Sequence, residues 1–134
     1  MTDRAPPESP QAWLQRARSD LALGRAAVGT PDVFLEDACF HAQQCAEKAL
    51  KALLVRRQIA FPRTHVLETL LDLLKASGVD VPSGVDEAFT LTQYAVETRY
   101  PGEWEVVTDE EAHAALDTAA QVLTWVETQV EEGS

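Results

Sequence analysis

The stretch that decides the fold runs from Ala38 to Val55 and reads ACFHAQQCAEKALKALLV. On an α-helix, where successive residues lie about 100° apart, this stretch separates into two faces. One face is apolar and built mostly from small residues: Ala38, Cys39, Ala42, Cys45, Ala46, Ala49, Leu50, Leu53 and Leu54. The opposite face carries His41, Gln44, Glu47, Lys48 and Lys51. We therefore predict a helix that packs closely on one side and presents a polar site on the other.

Four further segments have helical periodicity, and none of the sequence shows the sustained alternation that is typical of strands. The predicted helices cover 10–28, 33–58, 64–77, 83–100 and 108–130. Their expected caps are Ser9, Asp32 and Thr64, followed by capping boxes at Ser83–Asp86 and Thr108–Glu111. The sequence thus predicts an all-α fold, an up-down antiparallel bundle of four to five helices. We expect one domain at 9–131, a disordered leader at 1–8 and a short tail at 132–134.

The net charge of -11 is distributed unevenly along the 134 residues. Residues 1–63 carry nine Lys and Arg against seven Asp and Glu, whereas residues 64–134 carry two against fifteen. Such an acidic second half argues against non-specific binding of nucleic acid, which depends on neutralising phosphates. An anion would have to bind at a local cluster of cations: Lys48, Lys51, Arg56, Arg57, Arg63 and Arg99.

Other classes of protein are disfavoured by what the sequence lacks. No run of about 18 apolar residues could span a membrane, and the N-terminus does not resemble a signal peptide. Cys39 and Cys45 lie six positions apart on one predicted helix, too far apart to form a disulfide, so we expect buried thiols in a reducing cytoplasm. No spacing of His and Cys predicts a metal site, and no cofactor is expected.

Four groups of residues, in this order, resemble the HEPN family over about residues 10 to 130. They are Ala38-x-Phe40-x-Ala42-Gln43-Gln44, Glu47-Lys48-Ala49-x-Lys51-Ala52-Leu53, Arg63-Thr64-His65-x-Leu67, and Tyr94 with Arg99-Tyr100-Pro101. The resemblance implies a helical bundle that commonly forms a homodimer. Phe40, which lies on the polar face of the second helix, is a candidate for that interface or an ordinary exposed aromatic residue.

Many HEPN proteins are metal-independent endoribonucleases with an Arg, four to six intervening residues and a His. The matching arginine is Arg99, but the next histidine is His113, inside the last predicted helix. The resemblance also implies a second role, because small HEPN proteins are often encoded beside a minimal nucleotidyltransferase, frequently as a toxin–antitoxin pair. We therefore predict a nucleotide- or RNA-binding partner subunit of such a transferase. The alternative is an endoribonuclease with a non-standard base, for which His65 is the candidate.

The candidate ligand-binding residues are Arg99, Tyr100, Lys48, Lys51, Glu47, Tyr94 and His65. Several of them also have a structural interpretation. Arg99 suits a phosphate clamp, but a cation at a helix C-terminus is favourable in itself. Glu47 and Lys51 could form an ordinary surface pair one turn apart, and His65 could be a capping residue. In a partnered system Tyr94 and Tyr100 are also candidate acceptors for the transferase.

Overall fold

The computed structural model describes residues 8–95 and 106–132. Within these two ranges five α-helices follow one another: α1 (Pro10–Ala27), α2 (Leu35–Arg56), α3 (Leu67–Ala76), α4 (Ser83–Asp86) and α5 (Asp109–Glu132). A 3-10 helix (Glu87–Tyr94) directly continues α4. The described residues contain no β-strand, so the prediction of an all-α bundle is confirmed. None of the helices in these ranges is both long and apolar enough to cross a lipid bilayer.

The central element is α2, which packs against α1, α3, α5 and the 3-10 helix. Its predicted small-residue face is buried as expected and forms the middle of the core. The core residues of α2 are Ala38, Cys39, Ala42, Cys45, Ala46, Ala49, Leu50, Ala52, Leu53 and Leu54. Small side chains let neighbouring backbones approach closely, and α1 contributes Gly24 at such a point. A Cβ atom at Gly24 would lie only 3.2 Å from the carbonyl oxygen of Ala38.

Two helices begin where the sequence predicts. The Ser9 hydroxyl accepts a hydrogen bond from the Ala12 amide at 3.0 Å, with Pro10 as the first residue of α1. The Thr108 hydroxyl accepts from the Glu111 amide at 3.0 Å at the start of α5. Each bond satisfies a backbone donor that the helix itself leaves without a partner. At Gly29, just beyond α1, φ is +98°, a conformation that glycine adopts without strain.

Two predicted caps on the central helices are wrong. Helix α2 begins at Leu35, and Asp32 lies before it with a φ of +67°. The Thr64 hydroxyl accepts from the Val66 amide in a local turn, and α3 begins only at Leu67. Each of these residues lies too early in the chain to cap the helix, because a short polar side chain reaches only nearby amides.

The predicted capping box in the fourth helix is also wrong. Pro82 occupies the N-cap position, and the Asp86 carboxylate instead pairs with the Lys75 ammonium of α3 at 2.6 Å. After one α-helical turn the chain tightens into the 3-10 helix, which leaves Phe89 49% exposed. A 3-10 helix has three residues per turn, so its buried and exposed positions do not follow the 3.6-residue repeat of an α-helix. The predicted end of this helix at Tyr100 lies outside the described residues.

Candidate functional site

A buried carboxylate, that of Glu47, is the centre of a polar cluster on α2. Its Oε1 atom lies 2.7 Å from Nδ1 of His65 and 3.0 Å from Nε2 of Gln43, and its Oε2 accepts from Nζ of Lys51 at 2.9 Å. Gln43 also donates to the carbonyl oxygen of His65 at 3.2 Å and accepts from Gln44. The cluster therefore ties α2 to the connection that leads into α3. The sequence predicted three of its members as site residues: Glu47, Lys51 and His65.

The surroundings of Glu47 favour its ionised form. Burial alone would raise the pKa of this carboxyl group, but hydrogen bonds from Gln43, His65 and Lys51 outweigh it and hold the pKa below its ordinary value. An ionised carboxylate can only accept hydrogen bonds, so Nδ1 of His65 carries the proton. In the neutral imidazole, Nε2 then keeps its lone pair. The His65 side chain is 66% exposed, so the imidazole faces solvent.

Lys51 and its partner Glu47 are both buried. They therefore do not form the ordinary surface pair that was one interpretation of the sequence. Its ammonium lies 5.6 Å from the ring centre of Trp13 and 5.8 Å from that of Phe61. The two rings meet edge to face with their centres 6.4 Å apart. A surface pair at this spacing contributes about 0.2–0.5 kcal/mol. Here the aromatic rings and the carboxylate together replace the water that the ammonium loses on burial.

A second buried carboxylate, Asp20 of α1, lies against the same polar face of α2. It accepts from Nζ of Lys48 at 2.6 Å, and its other oxygen lies 2.9 Å from Nδ1 of His41. Lys48, predicted as a ligand contact, is thus held by a carboxylate. Both clusters follow one scheme, in which a buried acid binds one lysine and one imidazole. Together they account for the polar face of α2.

Tyr94, at the end of the 3-10 helix, joins a third group of polar side chains. Its hydroxyl donates to the Glu111 carboxylate of α5, and the Cys39 thiol of α2 lies beside it. Partial burial and the bond to Glu111 raise the pKa of the Tyr94 hydroxyl. This bond joins the 3-10 helix to α5, and the role of Tyr94 as an acceptor stays a prediction.

The remaining predicted site residues are placed as follows. Phe40 is half-buried, with its ring edge to face against His41 at 5.4 Å between centres, and its role at an interface stays a prediction. Arg99 and Tyr100 lie outside the described residues. In residues 8–95 and 106–132 no group of three or more His, Cys, Asp or Glu side chains is arranged to hold a metal ion.

Four members of the Glu47 and Asp20 clusters are not among the predicted site residues. The sequence placed His41 and Gln44 on the polar face of α2, whereas Gln43 and Asp20 were not assigned to that face. Gln43 is fully buried and orients both Glu47 and His65. Asp20 occupies a buried position on the face of α1 that also carries Ala17, Leu21 and Gly24. The sequence does contain a signal for Asp20, because an acid at the helical spacing of the core residues is expected to be buried. A buried charge needs a partner. The identity of that partner does not follow from the spacing.

These observations define an all-α protein with two carboxylate–imidazole pairs, each of which has one member on the central helix. The model of the HEPN domain family matches residues 10–129, which is most of the chain. The chain therefore belongs to the HEPN family, as the sequence motifs predicted.

Individual relatives agree with this assignment. The chain is 29% identical over 125 residues to "Putative toxin MJ1304" of Methanocaldococcus jannaschii, covering 83% of this chain and 81% of that protein. Among solved structures it resembles TT1696 of Thermus thermophilus, with a TM-score of 0.74, 36% identity and coverage of 90% and 98% of the two chains. It also resembles ST0689, an archaeal HEPN homologue, with a TM-score of 0.71, 30% identity and coverage of 91% and 98%.

Proposed function

We propose that this HEPN protein is the RNA- or nucleotide-binding subunit of a two-component system, with a minimal nucleotidyltransferase as its partner. Membership of the HEPN family and similarity to a relative named as a toxin support a system of the toxin–antitoxin type. The observation that carries the binding role is a basic surface on the connection between α2 and α3.

What we call the basic connection comprises residues 56–66, the last residue of α2 and the segment that follows it. It contains Arg56, Arg57, Arg63 and His65 but no Asp or Glu. Arg57, Arg63 and His65 are exposed, and Arg56 is half-buried. None of the three arginines forms an ion pair with another described residue. By contrast, carboxylates hold Lys48 and Lys51. In a chain of net charge -11, this connection therefore offers guanidinium groups to a phosphate.

Binding is tested with a fluorescently labelled single-stranded RNA, with ATP as competitor. For the Arg57→Ala/Arg63→Ala double variant we expect the dissociation constant for RNA to rise more than tenfold, about 1.4 kcal/mol of binding free energy. Arg25→Ala removes an exposed cation near the end of α1 and serves as the control, with less than a twofold change expected. Equal affinities of the double variant and the wild type would exclude the basic connection as the binding surface. Arg99→Ala tests the phosphate clamp in the same assay.

The partner is tested by co-expression with a minimal nucleotidyltransferase encoded in the adjacent reading frame. A stable complex on size-exclusion chromatography is the expected result. If that frame encodes no such transferase, or the two proteins elute separately at micromolar concentration, the partnership is wrong. RNA binding by the isolated chain would still stand, since it is measured independently.

One observation favours endoribonuclease activity as a second candidate function. The Glu47–His65 pair holds an accessible imidazole with its proton on the inner nitrogen, which is the arrangement of a general base. Nε2 of His65 would take the proton of a ribose 2′-hydroxyl, and O2′ would attack the adjacent phosphorus. The 5′-oxygen would leave with a proton from water, producing a 2′,3′-cyclic phosphate and a 5′-hydroxyl end. This chemistry needs no histidine after Arg99.

The two candidates are separated by a ribonuclease assay on the purified protein with EDTA present. Cleavage that His65→Ala abolishes and Arg25→Ala leaves unchanged would establish the nuclease, and we expect 2′,3′-cyclic phosphate ends. His65→Asn keeps hydrogen-bonding capacity without a titratable base, so it should be as inactive as His65→Ala. RNA binding without cleavage would leave the binding subunit as the function.

A further inference from the structure

A second surface, separate from the polar face of α2, is an open groove between α4 and the outer side of α5. Its volume is about 740 Å³. The lining residues are Pro82, Gly84, Val85, Asp117, Thr118, Ala120, Gln121, Thr124 and Trp125. None of them belongs to the Glu47 or Asp20 cluster. We call this surface the α4–α5 groove.

The floor and walls of the α4–α5 groove are suited to an apolar side chain with polar neighbours. Trp125 is half-buried and Val85 is buried, so an apolar base is available without any rearrangement of the core. Gly84 has no side chain, so nothing from this position of α4 projects into the groove. A Cβ atom at Gly84 would lie 3.3 Å from Oε1 of Gln121 on the opposite wall.

The α4–α5 groove lies in an acidic part of the protein. Its walls belong to segments 79–95 and 106–131, which together carry nine Asp and Glu residues and no Lys or Arg. Of these nine acids only Asp117 lines the groove. Asp117 is exposed within the lining itself. Two of the nine acids have cationic partners from elsewhere, since Lys75 binds Asp86 and Arg18 binds Glu127. The negative field that remains repels nucleic acid and attracts cations.

We propose that the α4–α5 groove docks a positively charged peptide segment of a partner protein. An aliphatic side chain of that segment packs on Trp125, and a flanking Lys or Arg pairs with Asp117. Apolar contact supplies most of the affinity, while the acidic surroundings set the orientation and select against acidic partners. This proposal does not depend on the proposed RNA-binding role, because it uses other residues and a ligand of opposite charge.

The probe for this proposal is a short peptide of lysine and leucine at helical spacing, titrated into the ¹⁵N-labelled full chain and followed by NMR. We expect chemical-shift changes concentrated at the Trp125 indole N–H and the Gly84 and Thr124 amides. A matched peptide with glutamate in place of lysine should produce no saturable changes. Shift changes spread evenly over the acidic surface would overturn the proposal.

Two variants separate docking in the groove from general attraction to an acidic protein. Gly84→Leu fills the groove without altering charge, and its nearest neighbour is the flexible end of the Gln121 side chain, so the leucine can be accommodated. Asp117→Lys reverses the charge of one lining residue and leaves the apolar residues of the groove unchanged. Each should weaken peptide binding more than tenfold. Asp72→Lys makes the same charge change at an exposed site on α3, and less than a twofold effect is expected.

The Asp72→Lys control distinguishes docking in the groove from diffuse attraction to an acidic protein. If Asp72→Lys weakens binding as much as Asp117→Lys, the attraction is diffuse and the groove is not a docking site. Unchanged binding by a folded Gly84→Leu protein would lead to the same conclusion. Thermal unfolding of each variant verifies that it is folded, and Asp117→Lys provides the test if Gly84→Leu is not.

Discussion

The carboxylate of Glu47, on the central helix, lies 2.7 Å from Nδ1 of His65, on the connection that leads into α3. The acid is only 3% exposed, whereas the side chain of the imidazole is 66% exposed. A buried group thus orients a group that faces solvent. This relationship gives Glu47 two roles, as a structural counter-ion for Lys51 and as the residue that sets the tautomer of His65.

The structural role of Glu47 is tested by Glu47→Gln. This change keeps the shape but leaves the Lys51 ammonium buried without a counter-charge, which costs about 3–5 kcal/mol of unfolding free energy. Urea denaturation measures the loss. Glu110→Gln, at an exposed position on α5, should change the unfolding free energy by no more than about 0.5 kcal/mol. A loss below about 1 kcal/mol for Glu47→Gln would mean that water reaches Lys51.

The pH dependence of stability follows from the lowered pKa of Glu47. In the unfolded chain this carboxyl group titrates near its ordinary pKa of 4.5, and in the folded protein it titrates lower. The folded state therefore binds fewer protons in this range. The stabilisation is complete above pH 4.5 and disappears as the pH falls through the folded-state pKa. Urea titrations at successive pH values should show the unfolding free energies of the wild type and Glu47→Gln converging in acid. A difference between the two free energies that does not change with pH would contradict this.

The close packing of α1 on α2 at Gly24 predicts an unusual preference for glycine within a helix. Alanine is normally better than glycine there by about 1 kcal/mol. At position 24, however, the added methyl would lie 2.7 Å from Cδ2 of Leu116 and 3.2 Å from the Ala38 carbonyl oxygen. Overpacking of this kind costs about 1–3 kcal/mol, so Gly24→Ala should lower the melting temperature. At the exposed Ala22 on the same helix, Ala22→Gly should also lower it, and a more stable Gly24→Ala would refute the packing argument.

The two cysteines should be inert in the folded protein. Both thiols are fully buried. Burial together with the nearby Glu111 and Glu36 raises the pKa of the Cys39 thiol to about 11. Burial together with Asp20 raises the pKa of the Cys45 thiol to about 12. We expect no reaction with a disulfide reagent at pH 8 within minutes, and two reactive thiols per chain after unfolding in guanidinium. Rapid reaction of one thiol in the native protein would indicate local opening of α2.

The accuracy of the predicted helix boundaries shows which parts of the fold depend only on residues that are close together in the sequence. Helices α1 and α5 were predicted to within a few residues, because Ser9 and Thr108 cap amides that lie three positions away in the chain. The segment after Ser83 was predicted poorly. Its tightening into a 3-10 helix accompanies contacts with distant partners, including the bond from the Thr92 hydroxyl to Glu68 of α3 and that from Tyr94 to Glu111. Periodicity along one segment contains no information about such contacts.

The sequence by itself determined the all-α bundle, the buried small-residue face of α2 and the HEPN motifs, since all three are written in residue type and spacing along the chain. Only the tertiary structure decided what the polar face does. In the sequence Glu47 and Lys51 resemble a surface pair, and only the structure shows that both are buried, with Trp13 and Phe61 beside the Lys51 ammonium. The contact of the His65 imidazole with Glu47 likewise depends on where the connection meets α2. Burial and pairing of charges depend on which distant segments meet, because desolvation is a property of the whole surrounding volume and not of the neighbours in sequence.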